Sequence, residues 1–217
     1  MILCNKLPSC NQAFIGRKDE IKAIASHLSN QSVLFITGMA GIGKSEVAKA
    51  YAQTNRKKYT NIIYLYYTGN LRKDIANLTF ADDSVEMNEE VRFQNHYKVM
   101  QRLHTDTLLI LDNFNVLPKD EPFLKELMKN DMQLLITSRC KLKNYDSIEI
   151  KELDKEKELT ELFYKHCPSA KRDPDSVSAI IEEVNCHTLT VCMAALTLEV
   201  SGMEPEELLQ KLRSCGI

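Results

Sequence analysis

Eight consecutive residues carry the strongest chemical signal in this chain. Gly38-Met39-Ala40-Gly41-Ile42-Gly43-Lys44-Ser45 holds three of the seven glycines and fits the pattern G-x-x-x-x-G-K-S/T. Glycines let the backbone curl until successive N–H groups face one point, where phosphate oxygens can sit. Lys44 adds a point charge for the outer phosphates of a nucleoside triphosphate, and Ser45 offers a hydroxyl to Mg²⁺. A helix starting here contributes the positive end of its dipole. Gly38 to Ser45 and the adjoining Glu46 are therefore the expected phosphate-binding residues.

Two further segments end in residues suited to the same chemistry. Leu108-Leu109-Ile110-Leu111 leads into Asp112, a carboxylate at a strand end that can hold Mg²⁺ directly or through water, together with Ser45. Asn113 follows, where many P-loop ATPases carry a second carboxylate to polarise the attacking water. An amide cannot accept a proton as a base, so hydrolysis is expected either to be slow or to use another carboxylate. Ile136-Thr137-Ser138-Arg139 closes another apolar run. Its arginine can meet a γ-phosphate and stabilise developing charge, or report which nucleotide is bound, and Thr137 and Ser138 can hydrogen-bond nearby. Lys44, Asp112 and Arg139 form the candidate catalytic group.

These residues need a scaffold that brings strand ends together. Val33–Thr37, Asn61–Tyr67, Thr107–Asp112, Met132–Thr137 and Ser147–Ile150 read as short apolar strands. Helical patterns separate them at Asp19–Ser29, Glu46–Lys58, Leu71–Leu78, Glu89–Leu103 and Pro122–Lys129. Such alternation requires crossover connections and a parallel sheet, and continuous apolar strands imply helices on both faces. Ligands then bind beyond the carboxyl ends of the strands. After Lys151 only helical patterns remain. Leu159, Leu162, Phe163 and His166 share a face. Asp173 caps a helix that opens with Pro174 and carries Val177, Ile180, Ile181 and Val184 inward. Thr188–Val200 is apolar most of the way round, which predicts a buried helix ended by Gly202. Pro205–Arg213 turns Leu208, Leu209 and Leu212 inward. The expectation is an α/β P-loop NTPase sheet over residues 1–151 and a small all-helical domain over 152–217.

Composition narrows the classes. The 217 residues carry 28 basic and 30 acidic side chains, a net charge of −2, so nothing global calls for nucleic acid. Lys49, Arg56, Lys57 and Lys58 read as a solvated helix face. No apolar run is long enough to cross a membrane, and Met1 to Lys6 lacks the make-up of a signal peptide. The seven cysteines show no C-x-x-C spacing, which favours free thiols in a reducing cytoplasm. Cys186 and Cys192 are expected to pack as small hydrophobes.

Taken in order, the motifs resemble the NB-ARC branch of the STAND ATPases, of bacterial type. Phe14-Ile15-Gly16-Arg17 looks like that family's F-x-G-R motif, followed by the acidic pair Asp19-Glu20. Gly38 to Ser45 is similar to its phosphate loop, Leu108 to Asn113 to its Walker B segment, Ile136 to Arg139 to its sensor strand, and Leu153 to Phe163 to the start of its first helical domain. The resemblance implies an ATP/ADP and Mg²⁺ site, with Phe14, Ile15 and Arg17 flanking the adenine. The family places G-x-P near the start of a late helix, its proline touching adenine. Here the stretch is Cys186-His187-Thr188, so Thr188 stands where proline is expected, and His187 is a second candidate. Family members continue into a winged-helix domain and repeats, so this chain is expected to be a fragment. The implied function is a nucleotide-operated switch that hydrolyses ATP slowly and forms homo-oligomers in the ATP state, with neither membrane nor direct nucleic-acid binding. A small-molecule P-loop kinase and a DNA-linked AAA-type ATPase are the alternatives.

Overall fold

The computed structural model describes residues 7–84, 86–140 and 142–215. Cys4 and the side chain of Cys215, two of the predicted free thiols, lie outside what is described. Cys140, Cys167, Cys186 and Cys192 carry free thiols, and the Cys10 thiol donates to Glu46 O at 3.7 Å.

The chain divides into two compact units. The first comprises Lys18–Gly38 and Lys44–Glu149, besides the start of the chain. Its described residues form a five-stranded sheet from β1 (Val33–Thr37), β2 (Asn61–Tyr66), β3 (Thr107–Asp112), β4 (Gln133–Ser138) and β5 (Ser147–Glu149). All pairings are parallel, in the order β2-β3-β4-β1-β5. The helices are α1 (Lys18–His27), α2 (Lys44–Thr54), α3 (Leu71–Ala76), α4 (Glu89–Met100) and α5 (Pro122–Leu127). Strands β3 and β4 are buried at every position, as expected for parallel strands with both faces covered. The chain leaves β1, skips two strand positions to build β2, and returns with β3 and β4. Tyr66 therefore lies beside Asp112, and Thr37 beside Ser138, at the carboxyl ends of their strands. Side-chain caps fix the helix starts, with Asn70 accepting from Lys73 N–H and Asn88 from Val91 N–H. Between α3 and α4, Asp83 accepts from Phe80 N–H at 2.7 Å and from His96 Nε2 at 2.8 Å.

Strands β1 and β3 have the predicted bounds. The helix after the phosphate loop starts earlier and ends sooner than the pattern suggested. Its continuation, Arg56–Lys58, is a 3₁₀ turn whose three basic side chains are exposed.

The second unit gathers Asn11–Arg17, Met39–Gly43 and the chain from Ile150 onward. A π-helical turn at Lys155–Leu159 leads into α6 (Thr160–His166). A 3₁₀ turn at Pro168–Arg172 leads into α7 (Pro174–Glu183), followed by α8 (Thr188–Ser201) and α9 (Pro205–Cys215). Asp173 caps α7 by accepting from Ser176 N–H at 3.1 Å, and Gly202 closes α8 with φ +65°. Leu159, Phe163, Val177, Ile180, Ile181, Val191, Ala195 and Leu198 form the core, with Cys192 and Leu212 against it. One expectation fails here. Helix α8 is not buried all round, because Leu189, Met193, Leu196 and Val200 are 50%, 58%, 45% and 85% exposed. Cys186 sits in the turn before α8 and packs against this core.

Candidate functional site

In the first unit the phosphate loop begins at Gly38 and resumes at Lys44. Lys44 is only 8% exposed and donates from Nζ to Gly38 O at 2.9 Å. Its pKa is held below lysine's ordinary value, first by burial and then by the Arg139 guanidinium, while Asp112 pulls the other way. Two cations thus share one electrostatic neighbourhood, an arrangement that costs stability in the protein alone and favours an anion between or beside them. Arg139 is exposed, and its backbone N–H donates to Asn115 Oδ1 at 2.9 Å.

Asp112 lies at the end of β3, 3% exposed, and accepts three hydroxyls. Ser45 Oγ donates to Oδ1 at 2.7 Å, Thr137 Oγ1 to Oδ1 at 2.5 Å, and Tyr64 Oη to Oδ2 at 2.5 Å. Ser45 comes from the first turn of α2, Thr137 from β4 and Tyr64 from β2, so the sheet order itself assembles the cluster. With its proton directed to Asp112, Ser45 Oγ keeps lone pairs for a metal. Serine and aspartate oxygens are hard donors of the kind Mg²⁺ takes, one or two at a time, with water and phosphate filling the remaining positions. Among the described residues no group of three or more His, Cys, Asp or Glu is placed to hold a metal. The donor set therefore fits a magnesium that arrives with phosphate and does not build an all-protein cage.

Thr137 has partners within the protein. Its hydroxyl donates to Asp112 and accepts from Asn113 N–H at 2.9 Å, which commits it to orienting the carboxylate. Ser138 Oγ likewise accepts from Cys140 N–H at 3.1 Å. Asn113 has φ +64°, a conformation asparagine tolerates better than most residues. Its side-chain amide donates to Tyr67 O at 3.3 Å, and its Oδ1 accepts from Asn115 Nδ2 at 2.5 Å. Tyr64 escaped sequence reasoning. Burial, reinforced by the hydrogen bond to Asp112, pushes its phenol well above the usual range. The available signal was a hydroxyl-bearing ring inside an apolar strand, but the neighbour of that strand was unknown.

In the second unit lie the central loop residues and the F-x-G-R segment. Met39 and Ala40 are exposed, and Ile42 is buried. Gly41 has φ +74°, and a Cβ there would stand 2.7 Å from His187 Cε1 and 2.8 Å from Leu189 Cβ. Gly41 is thus required by conformation and by close approach. Gly43, at φ +101°, would direct a Cβ into open space, room that a phosphate group can occupy. Arg17 is 6% exposed and donates from Nη2 to Ile42 O at 3.3 Å. Phe14 and Ile15 are half-buried, and Ile15 packs against the helical core. His187 Nε2 donates to Ala40 O at 2.7 Å, and Nδ1 meets Thr190 Oγ1 at 2.9 Å. Thr188 opens α8, with its hydroxyl oxygen buried and unpartnered.

Glu46, the last of the expected binding residues, pairs with Lys49 at 2.8 Å. No family model matches this chain, and no curated protein matches it. Solved structures do resemble it. A Walker-type ATPase of Pyrococcus abyssi is 10% identical with a TM-score of 0.68, over 97% of this chain and 74% of that one. DnaA of Aquifex aeolicus bound to AMPPCP is 17% identical with a TM-score of 0.60, over 93% and 68%. RuvB of Thermotoga maritima is 15% identical with a TM-score of 0.56, over 96% and 72%. At these identities the likeness is one of architecture: the chain has the P-loop NTPase fold.

Proposed function

We propose that this chain is the ATP/ADP-binding module of a nucleotide-operated switch, with Mg²⁺ held through Ser45 and Asp112. The observation that carries the reading is the geometry at the end of the phosphate loop, where Lys44, only 8% exposed and bonded to Gly38 O, precedes Ser45, whose hydroxyl donates to the buried Asp112 carboxylate. A triphosphate with its metal supplies both the anion and the divalent cation such a set calls for. A neighbour of like fold is described with a bound nucleotide analogue, which supports the same ligand class.

A switch is favoured over a fast enzyme because the residue after Asp112 is an amide whose nitrogen and oxygen are both engaged. Slow hydrolysis then serves to reset, and signalling rests on a difference in how ATP and ADP stabilise two states. The NB-ARC resemblance points the same way. Cys186, at the glycine of the family's G-x-P, has φ +55°, the conformation glycine adopts freely. Homo-oligomers in the ATP state, further domains of the same polypeptide and a cytoplasmic setting belong to this reading; the free thiols suit a reducing compartment. No helix among the described residues is long and apolar enough to cross a membrane.

The test is the nucleotide retained through purification, released by denaturation and identified by chromatography. ADP in the wild type and its loss in Lys44→Ala is the expected result. Retention by Lys44→Ala at the wild-type level would refute the site. Rapid phosphate transfer to a metabolite, or DNA-stimulated hydrolysis that weakens with salt, would replace the switch with one of the turnover alternatives.

A further inference from the structure

Two side chains outside the phosphate-loop motif donate to alternate carbonyls of the loop. His187 Nε2 bonds Ala40 O at 2.7 Å, and Arg17 Nη2 bonds Ile42 O at 3.3 Å. A carbonyl oxygen only accepts, so the proton at this contact is on Nε2. It is there in the Nε tautomer and in the imidazolium alike. On the far side of the ring, Nδ1 is held by Thr190 Oγ1 at 2.9 Å, which fixes the imidazole plane. Arg17 is 6% exposed and has φ +60°, an unusual backbone state for a non-glycine residue that costs free energy.

The geometry of the peptide unit gives these contacts a consequence. In a trans peptide the C=O and the following N–H point in opposite directions. Turning Ala40 O toward His187 therefore turns Gly41 N–H away from it. Turning Ile42 O toward Arg17 does the same for Gly43 N–H. The room beside Gly43, where a Cβ would meet nothing within 4 Å, marks an open side of the loop. The closeness of Gly41 to His187 and Leu189 marks the filled one.

We infer that Arg17 and His187 are positioning residues. They clamp the outer carbonyls of the phosphate loop so that the Gly41 and Gly43 N–H groups are presented to phosphate before any ligand arrives. The inference rests on the proposed nucleotide site, and it departs from the resemblance, which gives Arg17 to the adenine. Preorganised N–H donors need no rearrangement on binding, so losing one clamp reduces phosphate affinity without touching the ligand. Both donors and both carbonyls belong to the unit that carries α8.

The experiment measures binding of ADP and of inorganic pyrophosphate to the whole chain by calorimetry, alongside the melting temperature of the nucleotide-free protein. His187→Leu and Arg17→Met delete the donors. His187→Gln and Arg17→Lys keep one within reach. Each deletion is expected to weaken both ligands about tenfold, the effect of one hydrogen bond, and each conservative variant to recover most of that loss. Should His187→Leu not fold, His187→Asn, polar but one bond shorter, replaces it in the same comparison. Unchanged pyrophosphate affinity in the deletion variants overturns the clamp while leaving the nucleotide site intact. Loss of ADP but not pyrophosphate binding in Arg17→Met returns Arg17 to the base and overturns its part. A wild type that binds neither ligand overturns the site reading and the clamp together.

Discussion

Strand β3 and helix α8 are both apolar along most of their length, yet they end in opposite environments. Every residue of β3 is buried. Helix α8 buries Val191, Ala194, Ala195 and Leu198 and leaves Leu189, Met193, Leu196 and Val200 in the open. The spacing of the exposed set puts it on one stripe. A central parallel strand is covered by construction, since its neighbours pair on both edges and the crossover helices lie on both faces. A helix is covered only where the chain supplies a partner. Apolarity tells what can be buried; topology tells what is.

Deletion in the covered element should cost most. Ile110→Ala in β3 is expected to lower unfolding free energy by about 2–5 kcal/mol in urea denaturation. A cost below about 1 kcal/mol would mean that β3 is less tightly enclosed than its burial indicates. Thr137→Val, nearly the same in shape, removes a donor from Asp112 and the acceptor of Asn113 N–H. A loss of about 1–3 kcal/mol is expected, together with a higher Mg²⁺ requirement for nucleotide binding. Tyr64→Phe should cost about 0.5–1.5 kcal/mol and shift the Mg²⁺ dependence the same way. If the Mg²⁺ dependence did not move in either variant, the hydroxyl cluster would be structural support only.

Lys44 gives a smaller, pH-dependent effect. Its pKa is lowered in the fold, so between that lowered value and the ordinary 10.5 the unfolded chain holds more protons. In that alkaline window the stability of the nucleotide-free protein rises with pH, by less than about 1.4 kcal/mol per pH unit. A bound phosphate restores the charged form, so ADP binding should take up a fraction of a proton there. Calorimetry in buffers of different ionisation heat measures it, and no uptake by the wild type would contradict the assignment. The smallest change belongs to the open stripe: Met193→Ser and Leu196→Ser should stay within about 0.5 kcal/mol of wild type. A larger loss would show that the stripe is covered in solution.

Much of the scaffold was legible because it is local. Strands β1 and β3 kept their predicted ends, since each is an apolar run between polar residues. Asp173, Pro174 and Gly202 marked helix ends through their own backbone chemistry. The phosphate loop was legible for the same reason: its eight residues contain the glycines, the cation and the hydroxyl together. What escaped was contact at a distance. Nothing in β4 reveals that Thr137 donates to Asp112, because the pairing of β3 with β4 is not local. Tyr64 went unnoticed because its partner, Asp112, is 48 positions away.

The sequence by itself therefore determined the strand-loop-helix unit, the parallel sheet and the class of ligand worth testing, all of which follow from short-range periodicity and spacing. Only the tertiary structure decided which hydroxyls surround Asp112, which donors hold Ala40 and Ile42, and which side of α8 is bare. Those depend on strand order and helix neighbours, which arise from long-range burial and which no local pattern encodes.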